Sequence, residues 1–377
     1  TKKQVARAAS PRVTIDHVDK FEDADTYRAR AGLRRVGWGA GRSNPRDSMV
    51  HSTLHLIESM PKAIQEIVAI INDPRFPKLG SEPIADTRAR MEMMLPDSQL
   101  DLATESVQEV RIPRNGSPTP GDVMQAMIVS PKDETCDADE RPAMVWFHGG
   151  GWVLGSARLS LPIVTRLVRA TGIPIMTVEY RLAPEHPFPA AVEDCFEAVR
   201  WLAQNGRSLG IDSNRLMVGG DSAGGNLAAI CALAARDGIL PALAHQLLIY
   251  PVTDHRLDTP SFEAYGTGLP LETVEMEWLW ERYCPDKADR DDWRVSPLRA
   301  ESLEGLCPTT LMIAEYDPLR SEDEAYAKRL EAAGVPLTSM MLPKLPHGSM
   351  TMAPDLSEVD DALRRFSLAL EDLQPIH

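Results

Sequence analysis

Arg215–Arg236 reads RLMVGGDSAGGNLAAICALAAR. RLMVG has the character of a short buried strand, and GGNLAAICALAAR that of a helix. Between them stands Gly220-Asp221-Ser222-Ala223-Gly224. G-x-S-x-G at a strand-to-helix junction is a nucleophile elbow. The glycines have a steric purpose, because side chains at the flanking positions would collide with the neighbouring strand and helix. The turn lifts the Ser222 hydroxyl above the sheet and points the Ala223 amide at the reacting centre. The helix N-terminus favours negative charge developing there.

Outward from the elbow, strand-like and helix-like segments alternate. Upstream lie AMVWF (143–147), IPIMTVEY (173–180) and the helix-like AAVEDCFEAVRWLAQNG (190–206). Downstream come HQLLIYP, TTLMIAEYD, the helix-like EDEAYAKRLEAAG, LTSMMLP and a closing helical segment at 353–370. This rhythm predicts an α/β fold with a mainly parallel central sheet flanked by helices. SVQEVRIP and DVMQAMIV predict two further strands joined by the turn Asn115–Gly121. Residues 1–100 read as a separate helical cap region, with helical spacing over Ser48–Ile71 broken at Pro61, a turn-rich Asn72–Gly80 and more helix through Met94. Residues 101–377 read as the catalytic domain. Val252–Leu303 breaks the rhythm with charges and Trp278, Trp280 and Trp293, so it is expected as a cap insertion above the C-terminal sheet edge, where ligands sit in such folds.

Other chemistry-bearing residues fall at the same edge. His148-Gly149-Gly150-Gly151-Trp152 follows AMVWF directly, and consecutive glycines leave backbone N–H groups accessible to an oxyanion. The plain alternative is a flexible turn with His148 packing. A serine nucleophile of this order needs an acid and then a base downstream. Of the nine histidines, His347 and His377 lie well beyond the late strands, and the end of a sequence is a poor place for a fixed base. His347, in LPKLPHGSM, is the expected base. Asp317 follows TTLMIAEY and precedes Pro318, which makes it the expected acid against the bland reading of a turn aspartate. Asp323 falls in the next helix, Asp286, Asp289, Asp291 and Asp292 fall in the insertion, and Glu315 and Glu322 are weaker substitutes. Trp152, Trp38, Met49 and the insertion tryptophans are candidate pocket walls, although such residues are more often core.

The composition narrows the classes. Apolar residues make up 43% and charged residues 25% of 377, the balance of an ordinary globular protein. A net charge of −15 disfavours nucleic acid and anionic membrane as partners. Five scattered cysteines, Cys136, Cys195, Cys231, Cys284 and Cys307, form no C-x-x-C pair, so neither a disulfide framework nor a zinc site is expected, and a cytoplasmic setting fits. The basic start, TKKQVARAAS, has no apolar run after it, so no secretory signal is expected.

Five segments in order, HGGGW (148–152), EYRLAPEHPFPAA (179–191), GDSAGGN (220–226), AEYDPLRSE (314–322) and PHG (346–348), resemble the hormone-sensitive-lipase-like family of bacterial carboxylesterases, of the α/β-hydrolase fold. The likeness spans roughly residues 105–373. It implies hydrolysis of short- to medium-chain carboxylic esters without a cofactor or metal, on a small-molecule substrate. Carried over by position, Ser222 is nucleophile, Asp317 the orienting acid and His347 the base, with the amides of Gly150, Gly151 and Ala223 as oxyanion hole and His186 structural. Three departures stand out: Ser349 where the family commonly carries an aromatic residue, Ser321-Glu322 after DPLR, and a longer N-terminal region. Family members often dimerise, which leaves a homodimer open. The same residues leave an amidase, thioesterase or lactonase as alternatives. A non-catalytic ligand receptor on this scaffold is disfavoured by the presence of Ser222, Asp317 and His347 together.

Overall fold

A computed structural model describes residues 53–95, 105–114, 121–132 and 141–370. The turn expected over Asn115–Gly121 falls almost wholly outside these residues, as do Trp38, Met49, Cys136 and His377. Eight strands form one sheet in the order β1-β2-β4-β3-β5-β6-β7-β8. They are β1 (Glu105–Pro113), β2 (Val123–Pro131), β3 (Arg141–Phe147), β4 (Ile175–Val178), β5 (Ile211–Asp221), β6 (His245–Ile249), β7 (Thr309–Tyr316) and β8 (Leu337–Pro346). β1 and β2 pair antiparallel, β2 runs antiparallel to β4, and every other pairing is parallel.

The apolar runs become strands because both faces of this sheet are covered. Ala143, Val145 and Phe147 of β3 join one core cluster, while Met144 and Trp146 join the other. β5 divides in the same way, with Leu216 and Val218 on one side and Met217 on the other. Such alternation follows from the two-residue repeat of the pleat. One face is covered by α4 (Ala190–Asn205), α5 (Ala223–Arg236) and α8 (Arg320–Ala332). The other is covered by α3 (Leu161–Thr171) and α10 (Ser357–Leu370).

Residues 53–59 are helical, and the chain bends at Met60 before Pro61, which caps α1 (Lys62–Ile71). Ile64 and Val68 of α1 are buried in the second cluster, so this helix is packed on the sheet domain. α2 (Ile84–Met94) fully buries only Thr87. The interruption after β6 contains α6 (Pro260–Tyr265) and α7 (Thr273–Tyr283), two helices not read from its mixed sequence. Trp152, Trp280 and Tyr283 form a buried aromatic cluster, with Trp152 and Tyr283 stacked at 4.2 Å, so Trp152 and Trp280 belong to the core. Among the described residues no helix is long and apolar enough to cross a membrane.

Candidate active site

The chemistry-bearing residues all follow the C-terminal ends of strands, the edge where parallel sheets present their ligands. Ser222 follows β5, Asp317 follows β7, His347 follows β8 and His148 follows β3. Ser222 has φ 56° and ψ −121°, a strained conformation for a residue with a side chain. It is fixed from both sides: its amide donates to the Ile249 carbonyl at 2.9 Å, and its carbonyl accepts from Asn226 and Val252. Asn226 Nδ2 donates in turn to the carbonyls of Val252 and Val295, tying the elbow to the insertion. Gly224 permits the close crossing, because a Cβ there would sit 1.9 Å from the Phe147 carbonyl oxygen.

The structure brings Ser222, His347 and Asp317 into one hydrogen-bonded line. His347 Nε2 lies 2.8 Å from Ser222 Oγ, and Nδ1 lies 2.7 Å from Asp317 Oδ2. The other Asp317 oxygen accepts from the Leu319 amide at 2.8 Å. A carboxylate only accepts, so Nδ1 carries the imidazole proton and Nε2 is free to accept the serine's. Asp317 is fully buried, and His347 and Ser222 are nearly so. The ring that packs on His347 is Tyr250, at 4.8 Å between centroids, while Ser349 is buried at the start of the short helix α9 (Ser349–Met352).

The glycine loop follows β3 at the same sheet edge. Gly150 has φ +113°, and a Cβ there would meet the Leu154 carbonyl at 2.3 Å. Neither the Gly150 nor the Gly151 amide has an acceptor among the described residues, and Ala223 opens α5 with no preceding turn to donate to. His148 is not part of this line. It stacks on Tyr180 at 4.2 Å, and burial pushes its pKa down to about 4, which keeps it neutral. His186 is exposed.

Asp221 stands in the elbow motif yet carries no assignment from sequence. Its two oxygens accept from the Gly149 amide at 3.0 Å and the Thr351 hydroxyl at 3.1 Å, linking the glycine loop to the helix after His347. Burial raises its carboxyl above the ordinary range, against the pull of those two bonds. Only the pairing of β5 with β3 brings Asp221 and Gly149 together, so the motif alone gave no signal.

The other residues considered for the acid are engaged elsewhere or make no bond to His347. Glu322 accepts from the amides of Thr253 and Asp254, and Glu315 from that of Lys344. Asp323 is fully buried with neither oxygen hydrogen-bonded. Burial first, then the charges of Asp317 and Glu322, hold its carboxyl well above the usual range. The folded chain therefore keeps this proton while the unfolded chain releases it near pH 4. Its stabilising effect is complete below that pH and is lost as pH rises toward the raised value. Asp323→Asn removes the effect, so its Tm relative to wild type should improve by roughly 2 °C or more between pH 5 and pH 8. Equal differences at the two pH values in calorimetry would show that Asp323 holds no such proton. Among the described residues no cluster of His, Cys, Asp or Glu is suited to a metal ion.

Comparison with known proteins points the same way. The profile of the alpha/beta hydrolase fold family matches residues 144–351. An ethyl acetate hydrolase from Pseudomonas putida is 41% identical over 232 residues, covering 61% of this chain and 72% of the relative. An arylesterase from Saccharolobus solfataricus is 33% identical over 291 residues, covering 77% and 85%. The crystal structure of a thermostable esterase from Pseudomonas putida superposes with a TM-score of 0.76 at 33% identity, over 84% of this chain and 98% of the other. With the family profile spanning more than half of its length, and with the five segments noted in its sequence, this chain belongs to the α/β-hydrolase fold family, in its hormone-sensitive-lipase-like branch.

Proposed function

We propose that the protein is a serine carboxylesterase acting on short- to medium-chain esters through an acyl-enzyme on Ser222. The observation that carries this reading is the Ser222–His347–Asp317 line, with distances of 2.8 and 2.7 Å. His347 Nε2 takes the Ser222 proton as Oγ attacks the ester carbonyl carbon, and Asp317 stabilises the imidazolium that forms. The carbonyl oxygen becomes anionic and is held by the amides of Gly150, Gly151 and Ala223, each donor being worth about 3 kcal/mol in comparable sites. Collapse of this intermediate expels the alcohol, which takes its proton from His347. Water then repeats the sequence on the acyl-enzyme and releases the acid.

In this reading the described part of the N-terminal region, residues 53–95, and Val252–Leu303 act as caps over the catalytic domain at 101–377, while the rest of the cap region expected over 1–100 lies outside the described residues. Contact of the insertion with the oxyanion loop supports that role, since a Cβ on Gly151 would meet Leu279 of α7 at 2.4 Å. A small acyl group is favoured by likeness to a relative named for ethyl acetate. The scattered cysteines favour the cytoplasm. The outer edge of β8, where Met341 is exposed, offers a surface for pairing with a second copy.

The test is hydrolysis of p-nitrophenyl esters from acetate to palmitate by the wild-type protein, alongside matched thioester and anilide substrates. Turnover should be greatest on the shorter acyl chains and should fall steeply toward palmitate. A folded protein that cleaves the thioester or anilide but none of the esters would overturn the reading.

A further inference from the structure

The oxyanion loop is a strained piece of backbone. Gly150, Gly151 and Trp152 have φ of 113°, 60° and 60° in succession, and the last is a tryptophan. A left-handed run of this kind persists only where its surroundings over-determine it. Part of the restraint is local: the Gly150 carbonyl accepts from the amides of Val153 and Leu154, and the Trp152 carbonyl accepts from Ala183. A further part comes from the N-terminal region, far away in sequence.

Arg88 of α2 reaches that loop with its guanidinium. Nε donates to the Val153 carbonyl at 2.9 Å, and Nη2 donates to the Ala183 carbonyl at 2.9 Å. Nη1 and Nη2 also make a paired contact with the two Glu185 oxygens at 2.8 and 2.9 Å. The planar fork therefore bridges two loops that already meet through the Ala183–Trp152 bond. One turn further along α2, Glu92 accepts from Arg158 and from Ser156 at the far end of the same loop. α2 packs only Ile84 and Met91 partly against the first core cluster, so these polar bonds share in setting its place against the loop. Such fixed multidentate geometry is what a guanidinium supplies and an ammonium does not.

We propose that Arg88 is a positioning residue for the oxyanion hole: by holding the Val153 and Ala183 carbonyls it fixes the turn that aims the Gly150 and Gly151 amides, so the N-terminal helix contributes to the chemical step. The proposal rests on the esterase reading. Displacing an oxyanion donor weakens the transition state more than the ground state, so kcat falls while KM changes little. A shift of about 1 Å in such a donor can reduce the rate roughly 100-fold.

The experiment uses the full chain and p-nitrophenyl acetate with wild type, Arg88→Ala and Arg88→Lys. A trifluoromethyl ketone serves as the oxyanion probe: Ser222 Oγ bonds to the ketone carbon, the carbonyl electron pair moves to its oxygen, and the serine proton passes to His347. In folded Arg88→Ala, kcat should fall roughly 10- to 100-fold, with KM within about threefold of wild type. Affinity for the ketone should fall by the same factor, and guanidinium chloride below denaturing concentrations should restore part of kcat in this variant alone. Arg88→Lys keeps a cation for Glu185 but loses the fork, and should show a smaller fall of the same kind. Should the Ala variant fail to fold, the Lys variant decides. Wild-type kcat and ketone affinity in a folded variant would overturn the role of Arg88 while the esterase reading stood. A wild type that neither turns over the ester nor binds the ketone would overturn both.

Discussion

Ser222→Ala is expected to lower kcat on p-nitrophenyl esters by roughly a millionfold, the loss seen when the nucleophile of such a unit is removed. Methyl replaces hydroxymethyl at a residue whose backbone is fixed by the Ile249, Asn226 and Val252 bonds. None of these uses the side chain, so the elbow should keep its shape and Tm should change by only a few degrees. What disappears is the atom 2.8 Å from His347 Nε2. The amides of Gly150, Gly151 and Ala223 stay in place, and a residual rate above the uncatalysed one should survive through them. Burst kinetics and circular dichroism on the purified variant check both halves. Activity above about one per cent of wild type in a correctly folded variant would remove Ser222 from the reaction, because water activated by His347 alone cannot match an acyl-enzyme route.

Much of this site was legible because its parts lie in short segments with their own local rules. The elbow is a strand, a tight turn and a helix within the continuous stretch Arg215–Arg236, and the glycine loop follows directly on β3. The helix α3 was not legible. LPIVTRLVRAT carries Pro162 and the β-branched Ile163, Val164, Thr165 and Val168, a poor helical sequence on propensity. It folds as a helix because six of its eleven residues are buried against the second face of the sheet, a requirement no local window contains. The last strand holds a second case. LTSMMLP predicts its start, yet β8 continues through Pro343 to Pro346. Two prolines are tolerated because β8 is an edge strand, and a shift of register against β7 occurs where Lys344 adopts φ 59°. The Lys344 amide is taken up by the Glu315 carboxylate at 2.7 Å. That irregular segment immediately precedes His347, so the aim of the base depends on a pairing between residues 29 apart. Asp221 and Tyr250 escaped assignment for the same reason, since their partners come from neighbouring strands.

Asp317→Asn is the substitution whose consequences the geometry fixes most tightly. The aspartate uses one oxygen for the Leu319 amide and the other for His347 Nδ1. An asparagine has one oxygen and one amide nitrogen for these two positions. With its oxygen on the Leu319 amide, its N–H groups face Nδ1, which must then give up its proton to accept. The imidazole proton moves to Nε2, where it points at Ser222 and leaves no base for the serine. With the side chain flipped, two donors confront each other in a fully buried site, at a penalty of about 1–3 kcal/mol. Either way kcat should fall by roughly 10⁴. The neighbouring acids offer no substitute, because Glu322 is committed to the amides of Thr253 and Asp254, and Asp323 has no bond to the histidine. Asp323→Asn makes the same chemical change six positions along the chain and should leave kcat near wild type. Steady-state kinetics on the pair therefore separates loss of a tautomer from the loss of a neighbouring buried carboxyl that makes no bond to the histidine. Equal and large losses in both variants would mean that the packing of the buried acids around this edge, and not the Asp317–His347 bond, governs the base.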